Sequence, residues 1–253
     1  MATPWILALV AMVAAAISAA TGVAGGLVLL AALAVLMPAA AVVPLHGAVQ
    51  LMAGTTRAWV FRRHVDRRFV RDFALGLVPG SALGAGLVWW LRGFDPAWLR
   101  VALGTAILLS LIPRRAGPSA VSVGDWSSPL LVPVFGLLCG ALGMVVGSTG
   151  PLVSRGLLAY GLLKERHVGT KAWAQSLAHL LKIPLFGLAL DFDFGEYGVL
   201  IAVLGGAVIV GTIGGRRLLA GVSDERFGRM TRVLLGVLAL QLLGRELWGL
   251  MGG

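Results

Sequence analysis

Two glycine-rich stretches are the most informative part of this chain for its fold: TGVAGG at residues 21–26 and GSTGP at residues 147–151. They interrupt the apolar segments 5–36 and 129–163, which are too long for one straight bilayer crossing of roughly 20 residues. Glycine costs helix stability through backbone entropy and proline removes a helical hydrogen bond, so both stretches predict helix breaks. Broken backbone at membrane depth is tolerated only inside protein or beside a water-filled cavity, so the breaks mark candidate sites.

The composition is that of a membrane protein. Of the 253 residues 58% are hydrophobic and 13% are charged, whereas an average soluble domain has about 25% charged residues. Apolar segments fall near 5–36, 42–61, 73–91, 98–112, 129–163, 168–190, 197–219 and 230–250. The net charge of +10 comes from basic residues clustered between these segments, where they fix topology, so nucleic-acid binding is rejected. We predict a multi-pass protein of the cytoplasmic (inner) membrane, in contact with the lipid bilayer.

Enzymatic chemistry is not expected. The sequence has no HExxH, GxSxG or phosphate-binding loop and no paired carboxylates within its apolar segments, so we predict no catalytic residues, metal or cofactor. The single cysteine, Cys139, excludes a disulfide within one chain. No Lys or Arg precedes Arg57, so the first segment lacks the basic region of a signal peptide and is predicted to be a retained membrane helix.

The two breaks belong to an internal duplication with a period of about 125 residues. The matching positions are Gly26 and Gly150, Gln50 and Gln175, His46 and Lys171, and Arg57 and Lys182. A polar, turn-rich stretch separates the two copies. We therefore predict a first repeat at 1–112, a cytoplasmic linker at 113–128 and a second repeat at 129–253.

Equivalent loops of the two copies carry opposite charge. Segment 62–71 has five arginines, whereas its counterpart 191–196 has three acidic residues and no basic one. In the next pair the contrast reverses, because 92–97 has a single arginine and 216–229 has four. Basic loops tend to face the cytoplasm, so the copies are predicted to lie inverted in the bilayer.

The predicted fold is an all-α polytopic membrane protein of two inverted repeats, each a broken helical hairpin followed by three transmembrane helices. The basic segments 62–71 and 164–171 both belong inside, so 129–163 must enter and leave on one face. The alternative is two long kinked helices, which gives eight crossings but leaves the basic loop 216–229 outside. Whether 5–36 and 129–163 span the bilayer or re-enter is open.

Polar side chains on the helices after the breaks are the candidate ligands. Residues 171, 175, 179 and 182 are spaced by four, four and three positions, which places them on one helix face. Ionisable groups in membrane segments are costly and usually functional, and helix ends with free N–H groups attract anions. The candidate substrate-binding residues are Gly25, Gly26, His46, Gln50, Gly147, Ser148, Thr149, Gly150, Arg155, Thr170, Lys171, Gln175, His179 and Lys182.

Each candidate has a plainer alternative. Arg57 and Lys171 could extend to the membrane surface, and the polar side chains could form hydrogen bonds between helices. Glycines in membrane helices also permit close helix packing. We predict that packing role for Gly76, Gly80, Gly84, Gly86, Gly205, Gly206, Gly211 and Gly215.

The chain resembles the TauE/SafE family of sulfite and organosulfur-anion exporters. The resemblance covers nearly the whole chain and rests on GVAGG, GSTGP, HGAVQ, GTKAWAQ, RRHVDRR and PGSALGAG. It implies a secondary transporter of small anions such as sulfite, sulfonates or related carboxylates.

The functional hypothesis is transport of a small, sulfur-containing anion, with proton coupling through His46 or His179 as an option. Rocking of one half against the other would alternate access. An anion channel of the same fold, a transporter of small carboxylates and a non-transporting membrane subunit are the alternatives. The oligomeric state is open, and a homodimer is one option.

Overall fold

The computed structural model describes residues 3–21, 25–91, 128–162 and 164–218, together with the isolated positions 101, 105, 233, 240 and 244. Within these residues every regular element is helical, as predicted. The predicted linker up to residue 127, the loop at 92–97, the loop from 219 to 229 and nearly all of the crossings at 98–112 and 230–250 lie outside the described residues.

Eight α-helices account for most of the described chain. They are α1 (Thr3–Thr21), α2 (Gly25–Leu36), α3 (Ala39–Val60), α4 (Arg67–Leu91), α5 (Leu131–Val146), α6 (Gly150–Ala159), α7 (Lys164–Pro184) and α8 (Gly198–Leu218). A 3-10 turn at Arg62–His64 precedes α4, and a π-helical turn at Leu185–Ala189 extends α7. The basic segments 62–71 and 164–171 were predicted to be loops, and this was wrong. α4 already begins at Arg67 and α7 at Lys164.

Asp66 explains the early start of α4. Its Oδ1 accepts a hydrogen bond from the backbone N–H of Phe69 at 2.9 Å, which is an N-terminal helix cap. Its Oδ2 accepts from Arg166 at 3.0 Å, and its own N–H donates to the Thr170 hydroxyl at 2.9 Å. One residue therefore joins the N-terminal ends of α4 and α7 on the same side of the molecule.

Both predicted helix breaks are present. α1 ends at Thr21 and α2 begins at Gly25, while α5 ends at Val146 and α6 begins at Gly150. At the second break Gly147 has a φ of +80°, a backbone conformation that other residues rarely adopt. Three pairs of helix boundaries are each 125 positions apart: Thr21 and Val146, Gly25 and Gly150, and Ala39 and Lys164.

Helix packing follows the same correspondence. Among the described helices α4 packs most extensively against α5, followed by α1 against α8. α3 packs against α7, and α3 contacts α8 about as much as α7 contacts α4. If α1, α2, α3 and α4 are taken to correspond, in order, to α5, α6, α7 and α8, each of these contacts has a counterpart among the others or is its own counterpart.

Glycines let the paired helices touch backbone to backbone. A Cβ added at Gly80 would overlap the carbonyl oxygen of Leu137, and one at Gly211 would overlap that of Met12. We call the α4–α5 and α1–α8 contacts the glycine seams. The packing role is confirmed for Gly76, Gly80, Gly84, Gly205 and Gly211. It is wrong for Gly86 and Gly206, because no atom of the described residues lies within 4 Å of a Cβ added at either position. The surroundings of Gly215 lie outside the described residues.

The outer surface of the described helices is strongly apolar. Leu83 is 62% exposed, Val199 81% and Leu188 84%, although all three side chains are hydrophobic. Burying polar groups while exposing apolar ones reverses the arrangement of a soluble protein and suits a lipid surrounding. By length and composition alone, one of the described helices, α4, could cross a membrane, with a mean hydropathy of 1.5. Shorter apolar helical stretches lie at Pro4–Ala16, Gly25–Leu36, Leu131–Val146 and Gly198–Gly214.

Candidate anion-binding site

The crossing of α3 and α7 brings the two polar faces together. A Cβ added at Gly47 would lie 3.0 Å from Cδ of Lys182, and one at Gly54 would lie 2.7 Å from Oγ of Ser176. Contacts that advance along α3 retreat along α7, so the helices run in opposite directions. The missing glycine side chains let the two helices approach closely.

The crossing encloses a set of polar side chains, which we call the polar cluster. It consists of His46, Gln50, Lys171, Gln175, His179 and Lys182, of which Gln175 is half-buried and the others are buried. Within the part of the chain that the structure describes, no Asp or Glu side chain is buried. The cluster therefore combines basic and amide groups, and none of the described segments contributes a buried acidic side chain that could neutralise it.

Each helix that restarts after a break begins beside a glutamine of the polar cluster. An added Cβ at Gly26, in the first turn of α2, would lie 3.4 Å from Nε2 of Gln50. The corresponding Cβ at Gly150, where α6 begins, would lie 2.9 Å from Nε2 of Gln175. The pairs predicted from the duplication, Gly26 with Gln50 and Gly150 with Gln175, are thus neighbours in space.

His46 reaches both breaks. Its Nε2 lies 2.9 Å from the carbonyl oxygen of Gly26, and the ring also lies close to the backbone of Gly147. Because a carbonyl oxygen only accepts, Nε2 carries the hydrogen in this contact and Nδ1 is left as an acceptor when the ring is neutral. Within the described residues that buried Nδ1 has no hydrogen-bond partner.

Lys182 joins the second break to α3. Its Nζ donates a hydrogen bond to the carbonyl oxygen of Gly147 at 2.5 Å, while its stem lies on Gly47. The His179 ring lies one turn away, with its centroid 5.5 Å from that of His46 in an edge-to-face arrangement. The Nδ1 of His179 is also buried without a hydrogen-bond partner in the described chain. The two imidazoles and one ammonium therefore form the centre of the cluster.

A second basic pair mirrors His46 and Lys182. Lys171 lies near enough to Arg57 for electrostatic interaction, as His46 does to Lys182. These are the positions that the duplication matches. Lys171 is 5% exposed, which excludes the alternative in which it extends to the membrane surface, and Arg57 is half-buried.

The other predicted ligands lie around this centre or away from it. Ser148 and Thr149 are half-buried between Gly147 and the start of α6. Arg155 is half-buried and forms no hydrogen bond or ion pair within the described part of the chain. Thr170 lies outside the cluster, because its hydroxyl accepts the N–H of Asp66 at the start of α4. Gly25 is buried at the first residue of α2.

Three residues that shape or adjoin the site were not predicted from the sequence. Gly47 and Ser176 shape the α3–α7 crossing, and the seven-residue spacing of Gly47 and Gly54 is a signal that could have indicated the first of them. His167 links α7 to α6 through a 3.3 Å contact with the Ser154 hydroxyl. Nothing in the sequence pairs those two residues.

The apolar exterior, the basic interior and the two broken helices define a helical membrane protein with a polar centre. Residues 7–242 match the family described as Sulfite exporter TauE/SafE. The match covers most of the chain, so the chain belongs to this family, whose members are membrane transporters and not enzymes. No curated protein and no solved structure matches the chain.

Proposed function

We propose that this chain is a secondary transporter that moves sulfite or a small organic sulfonate across the cytoplasmic membrane, and that the polar cluster binds the anion. One observation carries the proposal. Each broken helix restarts beside a glutamine, at Gly26 and at Gly150, and the two restarts meet at a buried basic centre.

The chemistry of this centre favours an oxyanion. The N-terminal ends of α2 and α6 carry free N–H groups and the positive end of the helix dipole. Gln50 and Gln175 would add amide donors, and Lys182 would add a charge. Burying a cation costs free energy that a bound anion offsets, which makes an anion a better occupant than a neutral molecule.

We propose that the site lies between two inverted repeats, 1–112 and 129–253, joined by the linker 113–128. Three observations support this: the helix boundaries 125 positions apart, the exchangeable helix contacts, and the opposite charge of equivalent segments of the sequence. Each repeat would contain one broken hairpin and three crossings. Discontinuous helices at a repeat interface are a common way to build a transport site.

The transport experiment uses purified protein in liposomes and measures uptake of labelled sulfite. Wild-type protein is expected to give saturable uptake. Gln50→Ala and Gln175→Ala should each lower it about tenfold, because a hydrogen bond to a charged group contributes roughly 1.5–3 kcal/mol. Thr55→Ala is the matched control, since the exposed Thr55 hydroxyl bonds only carbonyls of its own helix. Unchanged uptake in both glutamine variants would contradict the proposed site.

The same assay separates sulfite transport from two of the three alternative functions. A transporter of small carboxylates would be inhibited by acetate as strongly as by a sulfonate of similar size. An anion channel would give uptake that does not saturate at millimolar sulfite and would carry current in planar bilayers. The proposal requires saturation, and it requires stronger competition from the sulfonate than from acetate.

Proton coupling is expected to run through His46 and His179. A bare Nδ1 repels an oxyanion, whereas a protonated ring donates to it, so anion and proton should bind together. Methanesulfonate is the substrate for this test, because it remains ionised and does not acidify liposomes by diffusing as a neutral acid. With the voltage clamped, wild-type uptake should acidify a dye-loaded lumen. His46→Gln and His179→Gln should reduce proton movement at least tenfold relative to anion uptake. If both variants moved as many protons per anion as the wild type, these histidines would be excluded from proton coupling.

A further inference from the structure

A second basic region lies where α4 and α7 begin side by side. A cavity of about 950 Å³ opens there, and four arginines are among its lining residues: Arg62, Arg63, Arg67 and Arg71. All four residues are exposed. This cavity, which we call the arginine pocket, is distinct from the polar cluster and shares none of its residues.

Two of the four arginines have no partner among the residues that the structure describes. Arg71 pairs with Asp72 at 2.7 Å, and Arg62 lies over the Trp59 ring at 4.4 Å while donating to the Trp59 carbonyl. Arg63 and Arg67 form no hydrogen bond or ion pair within the segments that the structure describes. The nearby Asp66 is already held by Arg166 and by the α4 cap. The pocket therefore carries an excess of positive charge.

The pocket also has apolar lining residues, and exposed apolar side chains continue beyond it. Among the apolar lining residues are Ala74 of α4 and Trp173 and Leu177 of α7. Farther along the same two helices, Leu75 is 65% exposed and Leu180 is 52% exposed. α4 and α7 start at the same side and contact each other, so these exposed side chains extend the apolar surface away from the arginines. We call this surface the α4–α7 groove.

We propose that the arginine pocket binds the headgroup of an anionic phospholipid, with the acyl chains lying along the α4–α7 groove. Guanidinium groups bind phosphate oxygens in a bidentate geometry, and basic pockets between membrane helices suit lipid phosphates. Tryptophan is favoured at the headgroup level, which is where Trp59 and Trp173 would lie. A soluble anion could contact the arginines but would gain nothing from the exposed groove.

Bound lipid would stabilise α7, the helix that carries four of the six side chains of the polar cluster. Trp173 and Leu177 alternate along α7 with Lys171, Gln175 and His179, which face the interior. Occupancy of the groove should therefore raise the melting temperature of the protein. This inference depends on the membrane location of the chain and not on the identity of its substrate.

The test measures lipid binding to delipidated protein in an uncharged detergent, by thermal shift and by native mass spectrometry. Phosphatidylglycerol should stabilise the protein and remain bound, while phosphatidylcholine and inorganic phosphate should do neither. Arg67→Gln should weaken the phosphatidylglycerol Kd about fivefold, and Arg63→Gln with Arg67→Gln more than tenfold. Trp173→Ala should also weaken phosphatidylglycerol binding, through the apolar lining.

Arg68→Gln is the matched control. It makes the same change of charge in the same helical turn, but Arg68 does not line the pocket and its side chain is 77% exposed. Its Kd should change less than about twofold. Equal losses for Arg67→Gln and Arg68→Gln would reduce the effect to general surface charge and overturn the proposal. Equal stabilisation by phosphatidylcholine, or full protection by inorganic phosphate alone, would overturn it too, the latter in favour of a soluble anion.

Discussion

Replacing Lys182 is expected to abolish anion transport while leaving the protein folded. The Lys182 ammonium lies at the second break, on the carbonyl of Gly147, and would be the main charge facing a bound anion. Its removal by Lys182→Met should lower sulfite uptake about 100-fold, which corresponds to roughly 3 kcal/mol for a hydrogen bond to a charged group. The free energy of unfolding should change little. Removing a buried charge is favourable, and this gain offsets the cost of leaving the Gly147 carbonyl without a hydrogen bond.

A second substitution separates two roles of Lys182: its positive charge and its hydrogen bond to the Gly147 carbonyl. Lys182→Gln keeps a hydrogen-bond donor for Gly147 but removes the charge, and it should be nearly as inactive as Lys182→Met. Both variants should elute as monodisperse protein with a melting temperature close to that of the wild type. Transport at the wild-type rate by Lys182→Gln would mean that Lys182 only ties the break to α7.

Replacing Gly80 by alanine is expected to destabilise the protein strongly, although the change adds only one methyl group. The added Cβ would overlap the carbonyl oxygen of Leu137 and come within 2.7 Å of its Cα. Both atoms belong to the backbone of α5, so no side-chain rotation can relieve the overlap. Overpacking of this kind costs about 3 kcal/mol, which should lower the melting temperature in detergent by about 5–10 °C.

Gly86→Ala provides a control in the same helix. Among the residues that the structure describes, nothing lies within 4 Å of the Cβ that it adds, and alanine is the better helix former by about 1 kcal/mol. Its melting temperature should therefore stay the same or rise slightly. If Gly80→Ala were as stable as Gly86→Ala, the α4–α5 seam would not be a backbone contact.

Local chemistry was sufficient to predict the two breaks. Glycine costs helix stability and proline removes a helical hydrogen bond, so the cluster GSTGP at 147–151 predicts a helix break. Single prolines are a weaker signal, since Pro44 and Pro79 lie inside α3 and α4. The inward face of α7 was also predictable, because the spacing of Lys171, Gln175, His179 and Lys182 defines one side of a helix. The roles of these side chains in binding remain a prediction.

Contacts between distant segments could not be predicted in the same way. Asp66 caps α4 locally, but it also meets Arg166 and Thr170 about a hundred residues later, and no local pattern encodes that meeting. Gly86 was predicted to pack closely because a sequence does not distinguish a glycine facing lipid from one facing a helix. The contact of the Lys182 stem with Gly47 likewise depends on how two helices cross.

The glycine seams bear on which parts of the molecule can move as rigid bodies. One seam joins α4 to α5 and the other joins α1 to α8, so each fastens a helix of the first half to a helix of the second. Rocking of residues 1–112 against 129–253 would have to pull both backbone contacts apart. We therefore expect the seam helices to stay together during transport, while α2, α3, α6 and α7, which carry the breaks and the polar cluster, move against them. The proposed repeat boundary along the chain would then differ from the boundary between the parts that move.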